Sequence, residues 1–406
     1  MLMFEVLILI YTTIGLGLYL IVIKNKMDMF TSIPVILFYS LFYLQGYILK
    51  YQTLSYIDIK IYLIAVTFII FFIIGSYGKT IKKETTIDFY RLKITGYIIY
   101  FFSIYLFLIS FYKYGISFFL IGKGTRTLLY NSAGFEKFAK DIMIAGIIVL
   151  NFYFVRPKYI KRFMYKFIFV FSFLIFFLLE NRSAIVIELY TFLYLYNRNI
   201  KHINNFLILI FLFSTIIMAT LGNSLIYSFK IFLITSSFHI NITNIIYESF
   251  IQHEFYAWFE IFKNLHNVFV GGETFLQTIK SFLWPHFLGG EHFSLTDWYA
   301  ENYLPYELFK KGYGRGFSFL VELYINFGIV LTIIFGFLIG KIFKKLENSG
   351  YYIVSAFIVS VFPFFWTGQL ALLFKQYLAI YFLMPFLIYQ SLRLLPIKKK
   401  KYVRVY

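Results

Sequence analysis

The sequence predicts an all-α membrane protein that crosses the bilayer many times. Of its 406 residues, 60% are hydrophobic and only 14% are charged, against roughly 25% charged residues in an ordinary soluble domain. The apolar residues come in runs of about 20, the length of helix that crosses roughly 30 Å of hydrocarbon. The short alternating segments of a membrane β-barrel are absent. No large soluble domain can be built from this composition.

The apolar runs predict about eleven transmembrane helices, with roughly ten to twelve as the range. They lie at residues 3–23, 31–49, 59–77, 94–112, 141–155, 165–180, 183–199, 204–222, 316–340, 351–369 and 371–392. The fifth and sixth runs are short, which favours a tilt or a local break there. The N-terminal run has no basic start and no small-residue cleavage site, so we interpret it as a retained first span.

The Lys and Arg residues predict which loops are cytoplasmic. They concentrate in the loops that follow odd-numbered spans and in the C-terminal tail, which contains KKKK at 398–401. These loops and the tail are therefore predicted to be cytoplasmic, and the N-terminus and residues 223–315 to face the other side. The net charge of +19 is then explained by topology, and nucleic acid is not expected as a partner.

The chain divides into three predicted parts. Residues 1–222 form an N-terminal bundle with an outer loop at 113–140, residues 223–315 form a large outer cap, and residues 316–406 form the last spans and the basic tail. The cap is long, aromatic and mixed in charge, unlike a connector, which predicts interfacial helices and surfaces on which sugars can stack. Its stretch 224–240 is apolar enough to be an additional or re-entrant span. The cap holds five of the six histidines: His239, His253, His266, His286 and His292.

Ionisable residues next to or inside apolar runs mark candidate sites, because such groups at membrane depth need a partner or a watery cavity. Arg182 lies at the turn of the hairpin LLENRSAIVIELY, and Glu188 lies within its second helix. An internal Glu–Arg pair that only joins helices is the alternative there. Arg126 lies in the outer stretch GKGTRTLLY, where a solvated surface arginine is equally compatible with the composition.

The stretch GRGFSFLVELYINFG carries a polar stripe on an apolar helix. Ser318, Glu322 and Asn326 follow one another at intervals of four residues, and Arg315 lies seven residues before Glu322. At about 1.5 Å per residue, Glu322 lies about 10 Å below Arg315. The stripe must therefore face the protein interior or a water-filled pocket at the outer side of the membrane.

Several classes of chemistry have no motif in this chain. There is no Walker loop, no H-E-x-x-H, no D-x-D pair and no serine nucleophile elbow, and the chain contains no cysteine. No metal and no cofactor is expected. What remains is a set of arginines and histidines at the outer interface, with a carboxylate beneath them. Arginine forks suit phosphate oxygens and neutral histidine suits proton abstraction, so the pattern favours a lipid-linked phosphate as substrate.

Two stretches of the C-terminal half resemble the O-antigen polymerases, the bacterial oligosaccharide repeat-unit polymerases. They are VGGETFLQTIKSFLWPHF and GRGFSFLVELYINFG. The second contains the family's Glu-x-Tyr-x-x-Phe-Gly element, matched here by Glu322, Tyr324, Phe327 and Gly328. Many members carry an arginine after the proline of the first stretch, where this chain has His286.

Two stretches of the N-terminal half extend the resemblance. NRSAIV resembles a Ser-Arg-small element at a helix start, with Arg182 in the place of its arginine and Asn181 in the place of the usual Ser or Gly. GTRTLLY resembles an arginine-bearing outer loop. The motifs cover about residues 125–190 and 270–328, and the similarity in topology covers most of the chain.

The resemblance implies a GT-C-type glycosyltransferase fold in the bacterial inner membrane, with its active site facing the periplasm. It implies a growing glycan on undecaprenyl diphosphate as donor, and the non-reducing sugar of another lipid-linked repeat unit as acceptor. The implied partners are the membrane lipid, the chain-length co-polymerase and the flippase of the same pathway. The reaction would be a metal-independent inverting transfer.

The candidate residues follow from this expected reaction. Arg126, Arg182 and Arg315 would stabilise the departing diphosphate, with Tyr324 as a further substrate-binding residue. The general base stays open between His266, His286 and Glu322, and Glu322 could instead orient an arginine. Two other functions also stay open: an O-antigen ligase that transfers to lipid A-core, and a lipid-linked glycan flippase. The stretch HNVFVGGETFL begins like the characteristic loop of the ligases but does not complete it. A repeat between the two halves of the chain would favour a flippase, and the sequence shows no such repeat.

Overall fold

The computed structural model describes residue 15 and the ranges 31–51, 54–78, 85–115, 138–179, 182–210, 253–283, 293–304, 317–348, 373–394 and 403–405. This part of the chain is almost entirely helical. Its helices are α1 Ser32–Tyr51, α2 Tyr56–Ser76, α3 Phe89–Tyr114, α4 Ala139–Phe154, α5 Phe163–Leu178, α6 Arg182–Asn199, α7 His253–Leu265, α8 Glu273–Leu283, α9 Leu295–Tyr303, α10 Phe319–Glu347, the π-helical Leu373–Leu383 and α11 Met384–Leu394. Two short strands, β1 Thr85–Ile87 and β2 Val403–Val405, complete the list.

The predicted spans that fall on described residues are helical, as the apolar runs indicated. Three helices, α2, α3 and α10, are long and apolar enough to cross a membrane, and α5 is a shorter apolar helix. Of the run at 204–222 only residues 204–210 are described, and 205–210 are helical. The runs at 3–23 (apart from residue 15) and 351–369 lie outside the described residues. The described helices therefore agree with an all-α membrane protein, while the number of about eleven spans stays a prediction.

The chain forms two compact units. The first combines residues 1–81, 250–349 and 361–375, and the second combines residues 82–249, 350–360 and 376–406. Part of the predicted cap thus shares a unit with α1, α2 and α10. The predicted division into three consecutive parts stays a prediction.

In the first unit, α2 and α10 lie in backbone contact and run parallel to each other. A methyl group added at Gly336 would lie 2.9 Å from the carbonyl oxygen of Phe68, and one added at Gly340 would lie even closer to that of Phe72. The hydroxyl of Ser76 donates a hydrogen bond of 3.1 Å to the Gly340 carbonyl. Small residues four apart allow this close approach, which is a common way of joining helices in lipid. Parallel α2 and α10 have the relative direction that the predicted topology gives to these two spans.

Helix α7 packs into the first unit through an aromatic face. Its Trp258 is fully buried and donates its indole N–H to the Tyr43 carbonyl of α1 at 2.9 Å. Phe259 stacks on Tyr47 with the ring centroids 4.1 Å apart. Burying each such ring stabilises the packing by about 2–3 kcal/mol. This part of the predicted cap is therefore held tightly against α1 and α2.

In the second unit, α3 and α4 run antiparallel and are joined through two glycines. A methyl group at Gly146 would lie 2.9 Å from the backbone nitrogen of Tyr100, and one at Gly96 would lie 2.7 Å from Leu150 Cδ2. Strands β1 and β2 pair antiparallel, with Thr86 opposite Arg404. The sequence did not predict this ladder. It joins the loop after the third predicted span to the C-terminal tail, two segments that the charge pattern assigns to the same side.

Candidate active site

Helix α10 is broken at Gly328, within the motif that carries the family resemblance. Gly328 has φ 71° and ψ −177°, a conformation that residues with a side chain rarely adopt. The break leaves carbonyl groups of the preceding turn without the partners that a continuous helix would supply. One of them, the Ile325 carbonyl, accepts a hydrogen bond of 2.8 Å from the backbone N–H of Val270. The sequence predicted a span at 316–340, and the structure adds a break within it.

The stretch of residues 266–275, which we call the docking segment, is attached to the first half of α10 by side chains as well. The Asn326 amide oxygen accepts hydrogen bonds from Thr274 Oγ1 at 2.9 Å and from the Phe275 backbone N–H at 3.2 Å. The Asn326 Nδ2 donates to the Glu322 carbonyl at 2.7 Å. The Asn326 amide therefore accepts hydrogen bonds from the first turn of α8 and donates one to a carbonyl of its own helix. The two stretches that carry the family resemblance in this half are in direct contact.

The docking segment begins with His266 at the end of α7. Its Nδ1 lies 2.7 Å from the Lys263 carbonyl. A carbonyl oxygen can only accept, so Nδ1 is the donor in this contact, and in the neutral imidazole the lone pair is then on Nε2. The Tyr324 hydroxyl donates to the His266 carbonyl at 2.7 Å, and the Tyr324 ring lies 4.6 Å from that of Phe262. His266 is half-buried, so its basic nitrogen belongs to a residue that is held in place yet reaches the surface.

The polar stripe of α10 faces the protein interior. Ser318 and Glu322 are fully buried and Asn326 is nearly so, which confirms the predicted burial for these three residues. Ser318 is the N-cap of α10, because its hydroxyl accepts from the Leu320 backbone N–H at 3.2 Å. Glu322 belongs to the first turn of the helix, where a carboxylate is favoured by the helix dipole. Arg315, the outermost member of the predicted stripe, lies outside the described residues.

An ion pair fixes α7 to the start of α2. The Lys263 ammonium lies 2.9 Å from Asp58 Oδ1 and donates to the Tyr47 hydroxyl at 2.9 Å. Asp58 also accepts from the backbone N–H of Ser55 at 2.7 Å in a capping box. Burial on its own would lower the pKa of Lys263, but the hydrogen bonds to Asp58 and Tyr47 outweigh it and raise the pKa. The sequence did not indicate this pair, because nothing local connects residues so far apart.

The structure describes four of the seven predicted site residues, and these four lie in two different units. The structure brings His266, Tyr324 and Glu322 together in the first unit, on α10 and the docking segment. Arg182 begins α6 in the second unit. The remaining three predicted residues, Arg126, His286 and Arg315, lie outside the described residues. Within the described ranges no group of three His, Asp or Glu residues could hold a metal ion.

No protein-family model, no curated protein and no solved structure matches this chain. The resemblance to O-antigen polymerases therefore rests on the quoted residues alone.

Proposed function

We propose that the protein polymerises lipid-linked oligosaccharide repeat units, with a polytopic GT-C-type architecture in the bacterial inner membrane. The observation that carries the proposal is the attachment of the docking segment to the first half of α10. Three contacts join them, through His266, Val270 and Asn326. They unite the two stretches that resemble the C-terminal half of the polymerases, and they hold a basic histidine nitrogen next to a helix with a buried carboxylate.

The proposed reaction transfers the growing glycan from undecaprenyl diphosphate to a sugar hydroxyl of another lipid-linked repeat unit. The acceptor hydroxyl attacks the anomeric carbon, and the new C–O bond forms as the bond to the diphosphate breaks. The bonding electrons leave with undecaprenyl diphosphate, and the anomeric configuration inverts. The hydroxyl proton passes to His266 Nε2, a step that commonly contributes about 10²–10⁴ in rate.

His266 is a better candidate for the base than Glu322. Glu322 is fully buried, so its carboxylate cannot meet a substrate without a rearrangement of α10, whereas His266 is half-buried. In this proposal Glu322 stabilises the polar face of α10 and orients a cation near its start. Tyr324 acts as a positioning residue, because its hydroxyl is committed to the His266 carbonyl.

The arginines keep the role that the sequence gives them. In the sequence, Arg315 precedes the N-cap Ser318 by three residues, and the start of a helix is where an anion is favoured. Arg126 and Arg182 stay predictions from the sequence. Each arginine that binds the developing diphosphate should account for about 10²–10³ in rate. Replacing Arg182 or Arg315 by Ala should therefore leave protein levels intact but yield single-repeat glycans.

Deletion of the gene, followed by gel analysis of the surface glycans, tests the proposal. A polymerase deletion leaves lipid A-core with one repeat unit and removes the ladder of longer products. Loss of every repeat from the core would instead indicate a ligase or a flippase. An unchanged ladder of glycans would argue against all three functions: polymerase, ligase and flippase.

A further inference from the structure

A buried polar cluster lies inside the second unit, among side chains to which the proposed reaction assigns no role. Four helices, α3 to α6, each contribute to it. None of its members is more than 3% exposed: Tyr100, Asn151, Tyr165, Ser172 and Glu188. An ionisable residue inside predicted membrane spans is expensive, and it is retained where it has a task.

The hydrogen-bond distances around Ser172 leave Glu188 Oε1 without its donor when the Ser172 proton goes to the closest acceptor, while the Tyr100 phenol is a further hydroxyl group beside Ser172. The Ser172 hydroxyl has one proton and three possible acceptors: the Ile168 carbonyl at 2.5 Å, Glu188 Oε1 at 3.1 Å and the Phe169 carbonyl at 3.2 Å. Donation to the closest acceptor, Ile168, leaves two oxygen atoms with lone pairs facing each other between Ser172 and Glu188. That contact becomes a hydrogen bond when Glu188 carries the proton and donates it to Ser172.

Within the described part of the second unit, no cation compensates the Glu188 carboxyl group. Among the described residues, Glu188 has no Lys, Arg or His partner, and its Oε2 has no hydrogen-bond partner at all. The nearby titratable groups are the phenols of Tyr100 on α3 and Tyr165 on α5, which bond to the Ile168 carbonyl and to Asn151. A bare carboxylate in such surroundings would cost several kcal/mol.

We propose that Glu188 is a proton-binding site of the α3–α6 bundle, with Ser172 as the acceptor of the bound proton. The site is independent of the proposed glycosyl transfer. The proton is an exchangeable ligand: it leaves to water and returns as the pH changes, and no other reactant is consumed. Asn151 and Tyr165 lie near the α4–α5 loop, and Ser172 lies about 10 Å deeper along α5. The polar side chains thus extend from one end of the bundle to Glu188.

Infrared spectroscopy of the full-length protein tests the proposal, in a detergent that has no carbonyl group. Wild-type protein should show the carbonyl stretch of a protonated acid that Glu188→Gln removes, while Glu273→Gln, at an exposed acid on α8, leaves it in place. The Ser172→Ala variant should shift the same band to higher frequency, because the acid loses its acceptor. This second variant keeps the test valid if Glu188→Gln does not fold.

The pH and sodium dependence of that band provide the decisive outcomes. The band should lose intensity reversibly as the pH is raised, because deprotonation removes the carbonyl stretch of the acid. Identical spectra of wild type and Glu188→Gln in the acid carbonyl region would overturn the proposal. A band that disappears on addition of Na⁺ at constant pH would also overturn it, since the site would then hold a metal cation.

Discussion

At the scale of single residues, Asn326 and Lys263 hold the candidate site together. Asn326 joins α8 to α10 with one amide group, and Lys263 ties α7 to α2 through Asp58. Between these two anchors the chain presents His266. The geometry of the proposed base therefore depends on two side chains that take no part in the reaction, and both can be tested by substitution.

Replacing Asn326 by Ala should destabilise the protein by about 3 kcal/mol. The change leaves the buried Thr274 hydroxyl and the Phe275 N–H without their acceptor, and each such group costs about 1–3 kcal/mol. Thermal unfolding of the purified variant measures the effect. The matched control is Gln277→Ala, whose bond to Glu273 is exposed and should change stability by less than about 0.5 kcal/mol. Equal stabilities of the two variants would contradict the assignment of Asn326 as an anchor.

The Lys263 ion pair should make stability depend on pH at the alkaline end. The pKa of Lys263 is raised above its ordinary value of 10.5, so the contribution of the pair is complete below that pH. It is lost as the pH rises through the raised pKa of the folded state. In Lys263→Met this part of the alkaline loss should be absent, at a cost of about 1 kcal/mol near neutral pH.

Unfolding temperatures measured across this pH range check the effect of Lys263. Lys280→Met, at an exposed lysine of α8, serves as the control and should follow the wild-type curve. If Lys263→Met also follows the wild-type curve, the Lys263–Asp58 pair contributes nothing to the stability of the protein.

At the scale of helices, glycine decides where the backbone comes close and where it breaks. Gly340 allows α10 to touch α2, whereas a methyl group added at Gly328 would meet nothing within 4 Å, so that Gly328 is needed for its positive φ alone. These two requirements predict different costs for the same substitution to alanine.

Gly340→Ala should cost about 3 kcal/mol, because the new methyl group meets the Phe72 carbonyl and the helices must separate. Gly328→Ala should cost only about 1–2 kcal/mol of backbone strain. It should, however, shift the docking segment, since a straightened α10 would reclaim the Ile325 carbonyl from Val270. Unfolding temperature and protease sensitivity of residues 266–275 separate the two effects. A larger loss of stability for Gly328→Ala than for Gly340→Ala would contradict the close packing of α10 against α2.

The helices could be predicted because an apolar run of sufficient length forms a helix in lipid whatever surrounds it. The run at 94–112, for instance, is part of the single helix α3. The burial of Glu322 was predictable for a similar reason, since a carboxylate avoids lipid. The contacts of Gly340 with Phe72 and of Asn326 with Thr274 could not be predicted, because they join segments that are far apart in the sequence. The break at Gly328 had a local signal, a glycine followed by a second apolar run.

At the scale of the whole molecule, the account depends on which segments share a side of the membrane. The basic loops and tail are predicted to be cytoplasmic, and the docking segment to face the other side. Within the first unit, α10 extends from Phe319 to Glu347 and contacts the docking segment just before its break at Gly328, through Tyr324, Ile325 and Asn326. The part of α10 beyond the break separates its ends by about 28 Å, close to the roughly 30 Å of hydrocarbon in a bilayer.

Cysteine labelling tests this sidedness directly, because the chain contains no cysteine of its own. Lys280→Cys on α8 and Lys345→Cys near the end of α10 are both exposed positions. A membrane-impermeant maleimide, added to cells with a permeable outer membrane, should label the first at once and the second only after lysis. Immediate labelling of both, or the opposite order, would refute the predicted topology.

The central claim is that the docking segment and the first half of α10 carry out glycan polymerisation. The most direct test is reconstitution of purified protein in lipid vesicles with undecaprenyl-diphosphate-linked repeat units, followed by gel analysis of the products. Wild type and Lys280→Gln should produce a ladder of lengthened lipid-linked glycans, and His266→Gln should be slower by about 10²–10⁴. A wild-type protein that joins no repeat units, or a His266→Gln variant as active as wild type, would contradict the account.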